Sequence, residues 1–179
     1  MKPRLRRMGD MMCDVSTLAK LLRADFDEGK LYWLDNPSDS PQRRAKYAGK
    51  EAFTSLDERG YKQGRISGKK LYAHRVIYAL AYGSWPDEQV DHKNGNRSDN
   101  RLCNLRAATK SENGANRHVS RGTSRFIGVS WHSKSGKWVA YTQKDGRQHY
   151  LGLFGTEEAA ATAYAKAALN LHGEFASAA

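Results

Sequence analysis

One stretch constrains this chain more than any other. It is Val90-Asp91-His92-Lys93-Asn94-Gly95-Asn96, followed by Asn104 in Leu102-Cys103-Asn104-Leu105-Arg106 and Asn113 in Ser111-Glu112-Asn113. Gln89 to His92 reads as a short strand running into a polar loop, where Asn94-Gly95 is a strong turn signal, and Leu105 to Thr109 reads as the returning strand. Thr109 and Glu112 have the capping-box spacing, so Thr109 is expected to cap a helix whose first turn carries Asn113. The result is a strand, loop, strand, helix unit with an aspartate and a histidine side by side at the end of its first strand. Such a pair offers a hard oxygen ligand next to an imidazole whose reference pKa of about 6.5 suits proton abstraction near neutral pH. A lone Asp-His pair or an Asn-rich loop is usually a solvated turn. Here the four positions gain weight from the apolar frame of Val90, Leu102 and Leu105 and from the capping box.

From about Tyr72 to Arg117 this unit resembles the ββα-metal motif of HNH endonucleases, specifically the phage and intron-encoded homing type. The resemblance implies that His92 is the general base and that Asp91 and Asn113 are metal ligands. It further implies that Asn104 is the middle asparagine, which orients the base and steadies the loop. Many HNH enzymes end the motif in histidine, whereas this sequence has Asn113, as the homing subgroup does. The ligand would then be an amide oxygen, and one hard divalent cation, Mg2+ or Mn2+, is expected in preference to zinc. His74 matches a histidine recurrent just upstream of the motif in this family. It is assigned a supporting role, because a histidine at a helix start is more often a local hydrogen-bond partner than a ligand.

With 179 residues the chain is one domain or two small ones, and two modules fit its patterning better. A net charge of +11, with four Trp and nine Tyr among the basic residues, implies an acidic partner and nucleic acid first. A membrane is not expected, since no apolar run approaches the roughly 20 residues needed to span a bilayer. Met1 to Asp10 is basic but lacks the apolar core of a secretory signal, so an intracellular protein is expected. Cys13 and Cys103 form no CxxC pair, which fits a reducing compartment and disfavours structural zinc, and Cys103 reads as a small core residue.

Residues 1–15 read as a basic flexible tail, and residues 16–118 as the nuclease domain, with its core motif at 72–117. A helix is expected from a cap at Ser16 or Thr17, with Leu18, Leu21, Leu22 and Phe26 at helical spacing, ending before Gly29. Lys30 to Leu34 has strand character, and Asn36 to Gln42 reads as a loop. Tyr61 to Ile66 and Lys69 to Ala73 flank Ser67-Gly68 as a hairpin. Its Gln63, Arg65, Lys69 and Lys70 form a face that could lie along a DNA backbone or be an ordinary solvated sheet face. His74 to Tyr82 is expected as a helix ended by Gly83.

Asn116 to Ser124, rich in Arg, Ser and Gly, is the best domain boundary, and residues 119–179 follow as a second module. Phe126 to Trp131, Gly136 to Tyr141 and His149 to Phe154 read as three short antiparallel strands, and Thr156 as the cap of a long helix with an alanine-rich inner face. These residues look like the APETALA2/ethylene-response-factor DNA-binding domain, over about Ser124 to Phe175. The resemblance implies a three-stranded sheet laid in the major groove with the helix behind it. Charge agrees independently: residues 121 to 154 hold six Lys or Arg, Arg121 among them, against Asp145 alone, while the helix is slightly acidic. By position, Arg125, Trp131, Lys137, Trp138, Tyr141 and Arg147 would be the contacting set. Trp138 and Tyr141 sit three apart on one strand and so face opposite ways, which lets at most one of them reach DNA. Where plant members have an arginine after the Gly-Val pair this chain has Ser130, so the plant recognition sequence does not transfer.

The fold class expected is therefore α+β: a ββα-metal HNH nuclease domain followed by a small three-stranded antiparallel sheet packed on one helix. The function expected is a metal-dependent, site-preferring DNA endonuclease of homing type. It would act as a monomer on double-stranded DNA inside a phage-infected bacterial host. The competing reading is a non-enzymatic DNA-binding regulator on a decayed nuclease scaffold. The two part at His92 and Asn113, which a pure binder need not keep.

Overall fold

The structure, a computed structural model, describes residues 13–116 and 123–176. Nearly all of the basic tail expected over residues 1–15 lies outside the described residues, as do Arg121 and the domain boundary expected between residues 118 and 119. The chain packs as two compact units, Met1–His92 with Asn96–Leu105 and Lys93–Gly95 with Arg106–Ala179.

In the first unit, α1 (Val15–Leu21) is capped at Asp14, whose backbone carbonyl accepts from the Thr17 and Leu18 N–H groups at 3.0 and 3.1 Å. The helix stops earlier than helical spacing predicts. Leu22 opens β1 (Leu22–Asp25), which pairs antiparallel with β2 (Lys30–Trp33), and β2 pairs in turn with β3 (Glu51–Ala52). Leu18 and Leu22 are both buried, so one apolar spacing serves a helix end and a strand start, and Phe26 lies in the β1–β2 turn. A second departure is α2 (Pro41–Tyr47), in part of what reads as loop: Ser40 accepts from the Arg43 N–H and Pro41 takes the first helical position. Serine followed by proline starts a helix as readily as it marks a turn.

The basic hairpin forms as expected within a sheet of β4 (Ser55–Leu56), β5 (Lys62–Ile66) and β6 (Lys69–Tyr72). Its two-residue turn, Ser67-Gly68, has both φ angles positive, at 50° and 76°. Next comes α3 (Ala73–Tyr82), ended by Gly83 in the left-handed conformation. Its Val76 and Ile77 join Leu18, Leu31, Val90 and Leu105 in the core of this unit. The motif then follows in its expected order: β7 (Gln89–His92), a 3-10 turn (Leu102–Asn104), β8 (Leu105–Ala108) and α4 (Lys110–Ala115), with β7 and β8 forming a two-stranded sheet.

The second unit contains the expected antiparallel sheet, with β10 (Lys137–Lys144) central between β9 (Val129–His132) and β11 (Arg147–Phe154). The first strand begins three residues later than expected, because Ile127-Gly128 forms a turn. A Cβ on Gly128, whose φ is +70°, would stand 2.2 Å from the Tyr164 ring. Helix α5 (Glu157–His172) is capped by Thr156, which accepts from the Ala159 N–H. Its Ala160 and Ala161 pack with Val129 and Ala140 of the sheet, small residues that let helix and strands approach closely.

Candidate active site

Three consecutive residues of β7, Val90, Asp91 and His92, are buried. The His92 ring lies edge-on to His74, at 5.0 Å between ring centroids, and 5.9 Å from Tyr61, so aromatic and imidazole surface replaces water around it. Burial pushes the His92 pKa below its usual value, opposed by its hydrogen bond with Asn100 and by the Asp91 charge. His74 is driven further, down to about 3, by burial, by His92 and by Arg75. Both imidazoles are therefore neutral at pH 7, and a neutral imidazole can accept a proton.

His92 Nε2 lies 3.0 Å from Asn100 Oδ1, a pairing that motif spacing did not single out. Asn104, the residue expected to orient the base, is buried and donates from Nδ2 to the Asp99 carbonyl at 2.7 Å, which ties the loop between the strands. In sequence, nothing separates Asn100 from the neighbouring Asn94 and Asn96; only its burial does.

The capping box of α4 is complete: the Thr109 hydroxyl accepts from the Glu112 N–H at 3.2 Å, and the Glu112 carboxylate accepts from the Thr109 N–H at 2.8 Å. Asn113 is half-buried on that helix, and α4 belongs to the second unit while Asp91 belongs to the first. Among the described residues no group of three or more His, Cys, Asp or Glu is gathered for a metal. Asp91 and Asn113 supply only oxygen donors, one carboxylate and one amide. Carboxylate and amide oxygens are donors suited to a hard divalent cation and poorly suited to zinc. Cys103, expected in the core, is exposed, because the 3-10 turn points Asn104 inward in its place.

On the C-terminal sheet, Lys137 and Arg147 are exposed, and so is Trp131 at 47%. Trp138 packs against the apolar cluster that includes Ala160 and Ala161 of α5, and it meets Trp131 edge-on at 5.3 Å. Strand alternation turns Tyr141 to the other face, where it pairs with the exposed Tyr150 at 5.4 Å. Arg125 lies ahead of the sheet, bonded to the Glu158 carboxylate at 2.7 Å, and its N–H donates to Glu157 at 3.1 Å.

A model of the HNH endonuclease family matches residues 71–115, and an AP2 domain model matches residues 124–174. The chain belongs to the HNH endonuclease family, with an AP2 domain behind the motif. It is 31% identical over 118 residues to Protein 3.8 of Escherichia phage T7, covering 63% of this chain and 97% of that protein. To the Uncharacterized HNH endonuclease L560 of Acanthamoeba polyphaga mimivirus it is 35% identical over 123 residues, 68% of this chain; it spans 63% of that relative's length. A solved structure of the HNH homing endonuclease I-HmuI, described as a study of DNA binding and cleavage, aligns with a TM-score of 0.41 at 20% identity, over 83% of this chain and 79% of that one.

Proposed function

We propose that this protein is a metal-dependent DNA endonuclease of homing type, cutting or nicking at a preferred site, with the HNH segment carrying the chemistry and the AP2 domain helping to choose the place. The observation that carries this reading is His92, a buried imidazole whose pKa is lowered by burial, next to the Asp91 carboxylate and inside the segment that matches the HNH model. His92 takes a proton from water, whose oxygen attacks phosphorus in line with the leaving 3′ oxygen. A divalent cation, magnesium or manganese, on Asp91 and Asn113 would supply positive charge to the phosphate and the departing oxygen. Asn104 steadies the loop through Asp99, and His74 supports the His92 ring from the side.

Lys137 and Tyr141 are the residues of the AP2 domain expected to meet duplex DNA from the face turned away from α5; Trp131, opposite Trp138 in the sheet register, and Arg147, opposite Lys144, would reach it only from the sheet's margins. Arg125 would do so by exchanging Glu158 for a phosphate, whereas Trp138 serves from within by holding sheet to helix. The protein acts as a monomer, and the phage and viral origin of its relatives supports work inside an infected host cell. Among the described residues no helix is long and apolar enough to cross a membrane.

Incubating the protein with a library of DNA sites plus magnesium, then mapping the new ends, tests this directly. Ends clustered at one sequence, absent when EDTA is added, are the expected result. Binding to the library without any new ends would leave a DNA-binding protein on a nuclease scaffold.

A further inference from the structure

Asn100 is only 1% exposed, as buried as the apolar core residues Leu18 and Leu31. Its Oδ1 faces His92 Nε2 at 3.0 Å, while its Nδ2 is buried without a hydrogen-bond partner. Leucine would fill the same volume with no orphaned donor, so the amide is accounted for by what its oxygen does. The backbone that presents this oxygen is clamped from several sides. Leu102 N–H donates to the Phe26 carbonyl at 2.9 Å, and the Asp99 carboxylate accepts from the Arg101 guanidinium at 2.8 and 2.6 Å. Gly29, in the β1–β2 turn, lies so close that a Cβ there would stand 2.3 Å from the Arg101 nitrogen and 2.4 Å from the Asn100 carbonyl carbon. Phe26 and Gly29 fall outside residues 71–115, so the N-terminal hairpin, and not the HNH segment alone, holds Asn100 in place.

An amide oxygen only accepts, so the ring nitrogen facing it is the one that carries the proton. A neutral imidazole has one N–H, and its other nitrogen is then the base. We propose that Asn100 is a positioning residue that keeps His92 in the Nε2–H tautomer, so that Nδ1 receives the proton of the attacking water. The inference rests on His92 being the general base. In the step, one water O–H bond breaks and its proton goes to Nδ1, the oxygen forms the new bond to phosphorus, and the bond from phosphorus to the 3′ oxygen breaks, its electron pair staying on that oxygen, which takes a proton from solvent to become the 3′ hydroxyl. The imidazolium that results donates from Nε2 to the Asn100 oxygen, which stabilises the positive ring.

The test is a long-range proton–nitrogen NMR correlation spectrum of the full chain labelled with 15N-histidine at neutral pH, without DNA, with His92 assigned by its loss in His92→Ala. The expected spectrum has His92 protonated on Nε2 in the wild-type protein and in Asn100→Asp, which keeps an acceptor oxygen, and a mixture of tautomers in Asn100→Leu. In plasmid nicking, Asn100→Leu should lower kcat by about ten- to a thousandfold with KM for DNA little changed, and Asn100→Asp should recover most of that loss. Wild-type His92 protonated on Nδ1 would overturn the proposal, because Asn100 would then be donating to the ring through its Nδ2. So would an Asn100→Leu protein with unchanged tautomer and rate. If Asn100→Leu fails to fold, the wild-type and Asn100→Asp spectra still decide. Failure of the base assignment is separate: it would be read from near-normal nicking by His92→Ala, whatever tautomer the spectra report.

Discussion

Two asparagines four positions apart divide the work of ordering the loop between β7 and β8: Asn104 binds Asp99 and Asn100 faces the His92 ring. The spacing of the motif made Asn104 legible in the sequence. Asn100 was not, because its burial depends on a turn more than seventy positions upstream, and residue type alone carries no trace of that contact. Asn104→Ala should therefore lower the nicking rate at saturating metal, while Asn113→Ala should raise the magnesium concentration needed for half-maximal rate. A magnesium titration of both variants separates the roles, and the reverse pattern would exchange them. His74 gives a second expectation at this scale. Its folded pKa of about 3 lies below the unfolded value near 6.5. Above pH 6.5 both states are neutral and the group adds no pH dependence. As pH falls below that value the unfolded chain takes up a proton that the folded protein refuses, so stability drops by about 1.4 kcal/mol per pH unit until pH approaches 3. Urea unfolding midpoints between pH 7 and pH 4.5 should fall less steeply for His74→Phe than for the wild type. Equal slopes would mean that His74 titrates normally in the folded protein.

At the scale of elements, local patterns were readable wherever one signal acted alone. The capping box of α4, the Ser67-Gly68 hairpin, the Gly83 stop of α3 and the Thr156 cap of α5 all form where the residues indicate. The misreadings came where one pattern served two structures. Leu18 and Leu22 fit a helical face, yet only strand pairing of Leu22 with Trp33 brings the β1–β2 turn against Arg101 and Asn100. Trp138 and Tyr141 were correctly expected on opposite faces, but only the packing of α5 decided which faces inward. The β1–β2 turn supplies the prediction that belongs here. Gly29→Ala adds a methyl group where backbone atoms already stand, at a φ of +66° that alanine disfavours, and should cost about 1–3 kcal/mol. Its nicking rate should fall as well, although Gly29 lies outside the segment that matches the HNH model. Thermal unfolding and nicking measured on the same preparation check this; unchanged values for both would show that the turn does not buttress the loop.

In the whole molecule, the last strand and helix of the motif share a compact unit with the AP2 domain. Arg106 donates to the Glu174 carbonyl at 2.6 Å and lies over the Phe175 ring, and the Asp145 N–H donates to the Ser111 hydroxyl at 3.0 Å. A helix of six residues such as α4 is marginal without such support. The C-terminal residues thus pack with α4 as well as with one another. Truncation after His118 should lose site preference and flatten the salt dependence of DNA binding by about 0.9 in log-log slope for each phosphate contact removed. It should also raise the magnesium requirement, since α4 carries Asn113. An unchanged site preference and salt slope in the truncated protein would mean that the basic sheet serves another partner. The central claim, that this chain cuts DNA with His92 as its base, is tested most directly by nicking of supercoiled plasmid in magnesium by wild-type and His92→Ala protein, with DNA affinity measured in parallel. The expected result is wild-type nicking that EDTA abolishes, and a loss of about 10²- to 10⁴-fold in the variant at nearly unchanged affinity. A loss below about tenfold in a variant that still binds DNA would contradict the account and make His92 a structural residue.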